Sequence, residues 1–313
     1  MNREIKNIAV IGGGLMGKGI AFVFSSMFDV AVYDSAPVDL RGGILGAVKE
    51  LSERAVIQQA ELEERLSRIR LVSDMGDAAV SGADLVVEAV YEDMELKRSV
   101  YARLEQICRE DCIFCTNTSV MSPTEISRDI IRRERFVGTH FWNPAHLIPL
   151  VEVVMSDATS GETAQAVMDL LARAGKKPVL CKKDVPGFIA NRLQHALWRE
   201  AMYMVENGIA DAKTVDDACK FGPGLRWPVL GPMENSDLVG IDLTYNIHEY
   251  VLKHLADNHE PSRLLREMLD RGEQGVKSGK GWQEWTPEQT EELNSRLRGH
   301  LIDCMETERG APK

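Results

Sequence analysis

The sequence is short of positive charge. Its 37 lysines and arginines stand against 48 aspartates and glutamates, a formal net charge of −11. A chain of that balance lacks the basic footprint with which a protein displaces counterions from nucleic-acid phosphates. It equally lacks the polybasic cluster that an anionic membrane attracts. Neither nucleic acid nor membrane is an expected partner, and any cations that meet an anionic small substrate must be local. Long apolar runs are also missing, and none approaches the roughly 18 residues that span a bilayer. The opening Met1-Asn2-Arg3-Glu4-Ile5-Lys6 leads straight into a strand-like run with no room for a signal peptide, so a cytoplasmic address is expected. Cysteine is sparse, six in 313 residues, the usage of a chain with reduced core thiols. Cys108, Cys112 and Cys115 cluster, but Cys112 and Cys115 sit three apart on a strand-like run and point to opposite faces. No metal site is expected.

What is present is a change of pattern along the chain. A length of 313 residues suggests one large α/β domain or two ordinary ones. Up to about residue 180, short β-branched runs alternate with amphipathic stretches, the βαβ signature of a parallel sheet. Strands are predicted at Ile8–Ile11, Val30–Asp34, Ile69–Val72, Leu85–Val90, Cys112–Thr116, Phe136–His140, Val151–Val154 and Val179–Lys182. Leu40–Leu66 is charged, rich in helix formers and free of proline beyond its start, and reads as one long helix or a helical hairpin. The Pro186-Gly187 pair punctuates the chain. After it helices are predicted near 188–207, 214–221, 233–256 and 261–272, with a polar, frayed surface helix beyond Thr286. The expected division is an α/β domain over 1–184 and an all-helical domain over 185–313. Leu193, Leu197, Ala201, Met202 and Val205 recur at helical spacing and suit either a domain core or a subunit interface.

The strongest local signal is Ile8-Ala-Val-Ile-Gly12-Gly13-Gly14-Leu15-Met16-Gly17, in which Gly12, Gly14 and Gly17 fill GxGxxG between a strand and a helix. Gly12 permits the tight turn, Gly14 admits a pyrophosphate, and Gly17 lets helix and strand pack closely. Leu15 and Met16 belong to the same cofactor-binding loop. The helix N-terminus offers free N–H groups to phosphate oxygens. Asp34 ends the second strand, twenty residues after Gly14, where a carboxylate accepts ribose hydroxyls and repels a 2′-phosphate. The expected cofactor is therefore NAD rather than NADP, with FAD as the other dinucleotide.

Polar residues also gather at strand ends. Thr116-Asn117-Thr118-Ser119 follows one strand and Thr139-His140-Phe141-Trp142-Asn143-Pro144 another, while Glu152 stands alone among the apolar residues of Leu150–Val154. In a parallel sheet the strand C-termini form the ligand crevice, which places Ser119 and His140 there. A buried Glu152 needs a partner, and a histidine is the natural one, its tautomer and basicity fixed by the carboxylate.

With these residues in order, the chain resembles the 3-hydroxyacyl-CoA dehydrogenase family from about residue 5 to 285. Glu92 with Lys97, Asp184–Arg192 and Lys277-Ser278-Gly279-Lys280-Gly281 follow the family's order as well. The resemblance implies a Rossmann-like domain followed by a helical dimerisation domain, and hence a homodimer. It implies reversible oxidation of a secondary alcohol β to a carboxyl group or thioester. His140 is the implied base, Glu152 its stabiliser, and Ser119 and Asn191 hold the substrate oxygen or the nicotinamide. Glu92, Lys97, Asn117 and Lys277 are similar to cofactor contacts, and Asn143 lines the pocket.

Two departures set the chain apart from the CoA-using members. The helical segment after the second strand, where those members carry serine and lysines for the CoA nucleotide, is here net acidic from Lys49 to Glu64. The stretch Gly222-Pro223-Gly224-Leu225-Arg226-Trp227-Pro228 is similar to the branch of carnitine and gulonate dehydrogenases, lambda-crystallin and a pyridine-carboxylate aldehyde dehydrogenase. The expected substrate is thus a small free 3-hydroxy acid. A true L-3-hydroxyacyl-CoA dehydrogenase, a pyridine-carboxylate aldehyde dehydrogenase and a non-catalytic crystallin-like NAD binder are the alternatives. Arg226 is a candidate fork for a substrate carboxylate, and Trp142 a surface for stacking on substrate. His146 is a rival base.

Overall fold

A computed structural model describes residues 5–310. The described chain divides into two compact units, one running to Ala190 and resuming at Gly299, the other spanning Asn191–Arg298. The first unit holds eight strands: β1 (Asn7–Ile11), β2 (Asp29–Tyr33), β3 (Ile69–Val72), β4 (Leu85–Glu88), β5 (Ile113–Thr116), β6 (Phe136–Phe141), β7 (Leu150–Met155) and β8 (Lys177–Cys181). They form one sheet in the order β3-β2-β1-β4-β5-β6-β7-β8. Each lies within one or two residues of its predicted run. The expected parallel sheet holds from β3 to β6 but reverses at β7, which pairs antiparallel with β6 and parallel with β8. The reason is chain length: a parallel crossover needs about a dozen residues or more, and the link from Phe141 to Leu150 is shorter than that.

The helices of this unit are α1 (Leu15–Phe24), α2 (Leu40–Glu53), α3 (Gln59–Ser67), α4 (Ala78–Ser81), α5 (Met94–Ile107), α6 (Pro123–Ile126) and α7 (Gly161–Arg173). Leu40–Leu66 is therefore the hairpin α2–α3. Side-chain caps start several helices where the sequence supplies them: Asp39 accepts from the Gly42 N–H, Asp93 from Leu96 and Ser160 from Thr163. The period-two alternation of the strands fills two cores. Ile8 and Val10 pack with Phe24, Ile44 and Val167 on one face, Ala9 and Ile11 with Val100, Tyr101 and Phe114 on the other. Cys115 joins the first core and Cys112 the second, the opposite faces their spacing requires.

The second unit is helical: α8 (Ala190–Glu206, its first residue closing the first unit), α9 (Ala212–Phe221), α10 (Pro232–Val239), α11 (Ile241–Val251) and α12 (Arg263–Asp270), then the start of α13 (Pro287–Gly310). The helix predicted over 233–256 is broken at Gly240, whose φ of 106° interrupts the spiral between α10 and α11. The tail differs from expectation too. From Gly299 onward α13 belongs to the first unit, where Ile302 is buried in the core with Leu301 and Met305 beside it, and Arg54 at the end of α2 bonds Asp303, Glu306 and the Gly299 carbonyl. No helix among the described residues is long and apolar enough to cross a membrane.

Candidate active site

The glycine loop joins β1 to α1 and is shaped for a phosphate. Gly12 has φ of 106°, and a Cβ there would stand 2.6 Å from the Ala89 carbonyl oxygen. A Cβ on Gly17 would lie 1.8 Å from the Gly12 oxygen, so that helix and loop touch backbone to backbone. A Cβ on Gly14, by contrast, would meet nothing within 4 Å, and no side chain caps α1. The first N–H groups of the helix thus face open space, as a pyrophosphate site demands. Leu15 is exposed at this rim, while Met16 leans on the core. Asp34, just past β2, accepts the Gly13 N–H at 2.7 Å and the Ala36 N–H at 2.9 Å. Each oxygen retains a lone pair for a ribose hydroxyl. These residues fit a dinucleotide.

His140 and Glu152 meet because β6 and β7 run antiparallel: the two residues stand directly opposite in the ladder, with side chains on one face. His140 Nδ1 lies 2.7 Å from Glu152 Oε2, and both groups are buried. Glu152 Oε1 accepts the Ile189 and Ala190 N–H groups at 2.9 Å each, at the entry to α8. The indole N–H of Trp142 donates to Oε2 at 3.2 Å. Burial pushes Glu152 up, but the hydrogen bonds from His140, Ala190, Ile189 and Trp142 together hold it below the usual carboxylate range. The carboxylate is therefore ionised and accepts a hydrogen bond from the His140 Nδ1–H, which leaves Nε2 as the nitrogen free to act as base. Phe188 packs its ring 5.7 Å from the imidazole, at a φ of 48° that few non-glycine residues adopt.

A second polar cluster is built on β4. Glu88 ends that strand fully buried, and its Oε1 accepts Lys97 Nζ from α5 at 2.7 Å and the Val90 N–H at 2.8 Å. Its Oε2 accepts the Thr116 hydroxyl at 2.7 Å. Lys97, also fully buried, lies 3.3 Å from Glu92 Oε2, and the other Glu92 oxygen accepts the Thr118 hydroxyl at 3.0 Å and the Ser119 N–H at 2.5 Å. The chain of contacts Glu88–Lys97–Glu92–Ser119 sets the segment after β5. Asn117 completes it, its side-chain carbonyl accepting the Phe141 N–H at 3.0 Å and so linking this segment to the His140 strand. Glu88 was not among the residues singled out from sequence. The signal was a carboxylate closing an otherwise apolar strand, with a lysine nine residues on.

The remaining candidates separate. Asn143 is exposed in the loop after β6. His146 lies in the same loop but is desolvated, and burial with the Lys176 and Arg65 charges depresses it to about 4, despite a backbone bond to Ala47 that opposes the shift. That proton affinity suits a half-buried packing ring rather than a base. Lys176 closes the loop by donating to the carbonyls of Ala145 and Ile148. Asn191, Arg226 and Lys277 belong to the second unit. Arg226 is exposed beside the exposed Trp227. Lys277 borders a cavity of about 720 Å³ within that unit, walled mainly by Trp198, Met202, Met268, Trp282 and Trp285.

Comparison with known proteins gives a consistent picture. Residues 7–185 match the family model of the 3-hydroxyacyl-CoA dehydrogenase NAD-binding domain, and residues 187–285 that of the 3-hydroxyacyl-CoA dehydrogenase C-terminal domain. The chain is 35% identical over 301 residues to 5-formyl-3-hydroxy-2-methylpyridine 4-carboxylate 5-dehydrogenase of Mesorhizobium japonicum, covering 95% of this chain and 96% of that protein. It is also 35% identical, over 289 residues, to the mitochondrial hydroxyacyl-coenzyme A dehydrogenase of Homo sapiens, covering 89% and 90%. A solved structure of a 5-formyl-3-hydroxy-2-methylpyridine 4-carboxylic acid 5-dehydrogenase, described as an NAD+-dependent dismutase, superposes with a TM-score of 0.89 at 33% identity, covering 99% of this chain and all of that one.

Proposed function

The chain belongs to the 3-hydroxyacyl-CoA dehydrogenase family, NAD-dependent enzymes acting on a hydroxyl group, and from that premise we propose that it interconverts the β-hydroxyl and ketone of a small 3-hydroxy acid with a free carboxylate. The observation that carries the chemistry is the buried His140–Glu152 pair. Nε2 of His140 takes the hydroxyl proton, and Glu152 stabilises the imidazolium that forms. Bound NAD supplies the hydride acceptor. Gly12, Gly14, Leu15, Met16 and Gly17 bind its phosphates, Asp34 its adenosine ribose, and Glu92, Lys97 and Asn117 shape the nicotinamide end. Ser119 holds the substrate oxygen. Asn143 and the ring face of Trp142 are assigned to the substrate side, Arg226 to a substrate carboxylate, and Asn191 and Lys277 to the roles that family resemblance gives them.

The free carboxylate rests on the α2–α3 hairpin. All four of its cations are paired with carboxylates of this chain, Arg41 with Glu63, Lys49 with Glu53, Arg54 with Asp303 and Glu306 and Arg65 with Glu61, as is Arg68 just past its end with Glu64. Each cation of the hairpin already has a carboxylate beside it and the segment is net acidic, a surface poorly suited to a phosphorylated nucleotide, and that argues against CoA. A second reading, a pyridine-carboxylate alcohol or aldehyde as substrate, is favoured by one observation: similarity to the pyridine-carboxylate dehydrogenase extends over nearly the whole chain, past residue 285 where the family model ends. The test is NAD reduction with 3-hydroxybutyrate, carnitine, gulonate and a hydroxymethylpyridine carboxylate beside 3-hydroxybutyryl-CoA. Turnover of a free acid is expected; turnover of the thioester alone overturns the substrate class. His140→Ala should bind NADH normally and lose about 10²–10⁴ in rate. Near-parental turnover in that variant removes the base from its role.

A homodimer through the helical unit is part of the same proposal. That unit buries only Ala256 and Met268, while Phe221, Met233, Leu238, Ile241 and Tyr250 stand exposed. Unpartnered apolar surface on this scale needs a cover, and a second copy of the same face supplies one.

A further inference from the structure

Trp142 was expected to stack on substrate, yet its indole N–H is directed at Glu152 Oε2, the oxygen that also holds His140 Nδ1. We propose that Trp142 is a positioning residue that tunes the His140–Glu152 pair by sharing this oxygen. The inference rests on the reading of His140 as the base. Oε1 is already engaged by the Ile189 and Ala190 N–H groups. Oε2 then divides its lone pairs between imidazole and indole. Each donor on a carboxylate draws off some of the charge available to the others, so the indole weakens the hold of Glu152 on an imidazolium. It does so without adding a charge. The indole ring, 5.5 Å from the imidazole, and the Phe188 ring, 5.7 Å away, flank His140. Around the pair, β8 contributes Val179 opposite Glu152, and the entry to α8 contributes the Ile189 and Ala190 amides. Among the described residues no further ionised side chain makes an ion pair with either member.

The sign follows directly. Without the indole N–H, Oε2 serves the imidazole alone, the imidazolium is better stabilised, and His140 stays protonated to higher pH. Alcohol oxidation needs the neutral imidazole, so its acid limb moves up. Ketone reduction needs the imidazolium as proton donor, so its alkaline limb moves up too.

Two variants test this: Trp142→Phe, and replacement of Trp142 by benzothienylalanine, which puts sulfur in place of N–H at nearly the same shape. Profiles of kcat/KM against pH are measured in both directions, with NADH binding followed by fluorescence. Both limbs should rise by about half to one pH unit, the equivalent of one neutral hydrogen bond, with NADH binding unchanged. Limbs that stay in place while the plateau falls mean ordinary packing and overturn the proposal, as do limbs that move down. His140→Ala keeps the two readings apart. Retained turnover there defeats the base itself, whereas lost turnover combined with unmoved limbs at Trp142 defeats only the tuning role.

Discussion

The first unit turns its apolar side chains inward on both faces of an eight-stranded sheet and encloses polar and ionisable groups, Glu88, Lys97, His140 and Glu152 among them. The second unit buries only Ala256 and Met268 and turns its large apolar residues outward. A unit the length of Asn191–Arg298 cannot be held by two buried side chains when a domain of about 100 residues must offset its conformational entropy through burial. The contrast teaches where each unit gets its order. The sheet unit is self-sufficient and can afford buried charge, which fixes geometry at the cofactor and base. In the proposed homodimer the helical unit completes its core against a second copy. The largest expected effect therefore comes from charging its outward face. Leu238→Asp with Ile241→Asp should abolish the dimer and most of the helical unit's cooperative unfolding, read by sedimentation and circular dichroism. A folded monomer with an unchanged Tm breaks the comparison at its weakest joint.

Next in size is a test of how the sheet unit tolerates charge. Lys97 and Glu88 are both fully buried and joined at 2.7 Å. Removing one partner strands the other, at a cost of about 3–5 kcal/mol. Lys97→Met is expected to show that loss in urea unfolding, and adding Glu88→Gln should restore a large part of it. A Lys97→Met protein as stable as the parent means that the cluster is solvated and contributes no such restraint on Ser119.

Much of the sheet unit was legible because its signals are local. β-branched runs marked all eight strands, and the GxGxxG loop and Asp34 carry their chemistry in their spacing. His140 and Glu152 were legible as partners, but not the geometry that joins them: the link from Phe141 to Leu150 is too short for a crossover, and only antiparallel pairing puts residues twelve apart side by side. Glu88 and the indole bond of Trp142 stayed hidden because both depend on a third residue brought from another element. The tail was misread for a related reason. Leu301, Ile302 and Met305 form a helical stripe inside a charged segment, too narrow to outweigh the surrounding polarity until a core is there to receive it. The periodic run of α8 was visible too, but not which way it faces: Ala201, Met202 and Val205 line the cavity within the unit, while Leu193 and Leu197 stand exposed.

That tail sharpens the border between the units. Ile302 is fully buried against the sheet unit's core although it lies at the far end of the chain. Ile302→Ala should cost roughly 2–4 kcal/mol, the range for a truncated core isoleucine, and the loss should appear in the transition of the sheet unit. A change within about 0.5 kcal/mol, the range of surface substitutions, would return the segment to a frayed end.

The smallest effect concerns a half-buried ring in the sheet unit. His146 is held at about 4 against an ordinary 6.5, first by desolvation and then by the charges of Lys176 and Arg65. Its folded-state proton affinity is depressed, so the unfolded chain binds more protons between those values. Its contribution to stability is complete above pH 6.5 and is lost progressively as pH falls toward 4. The full shift corresponds to about 3 kcal/mol, and the partial exposure of the ring trims it to roughly 2. Urea midpoints at pH 7 and pH 4.5 measure the slope, with His146→Gln as the control that removes the titrating group. The variant should be less sensitive to acid than the parent by that amount. If parent and variant lose stability in parallel, the acid sensitivity of the sheet unit lies elsewhere in its buried charge, with Glu152 the next group to replace.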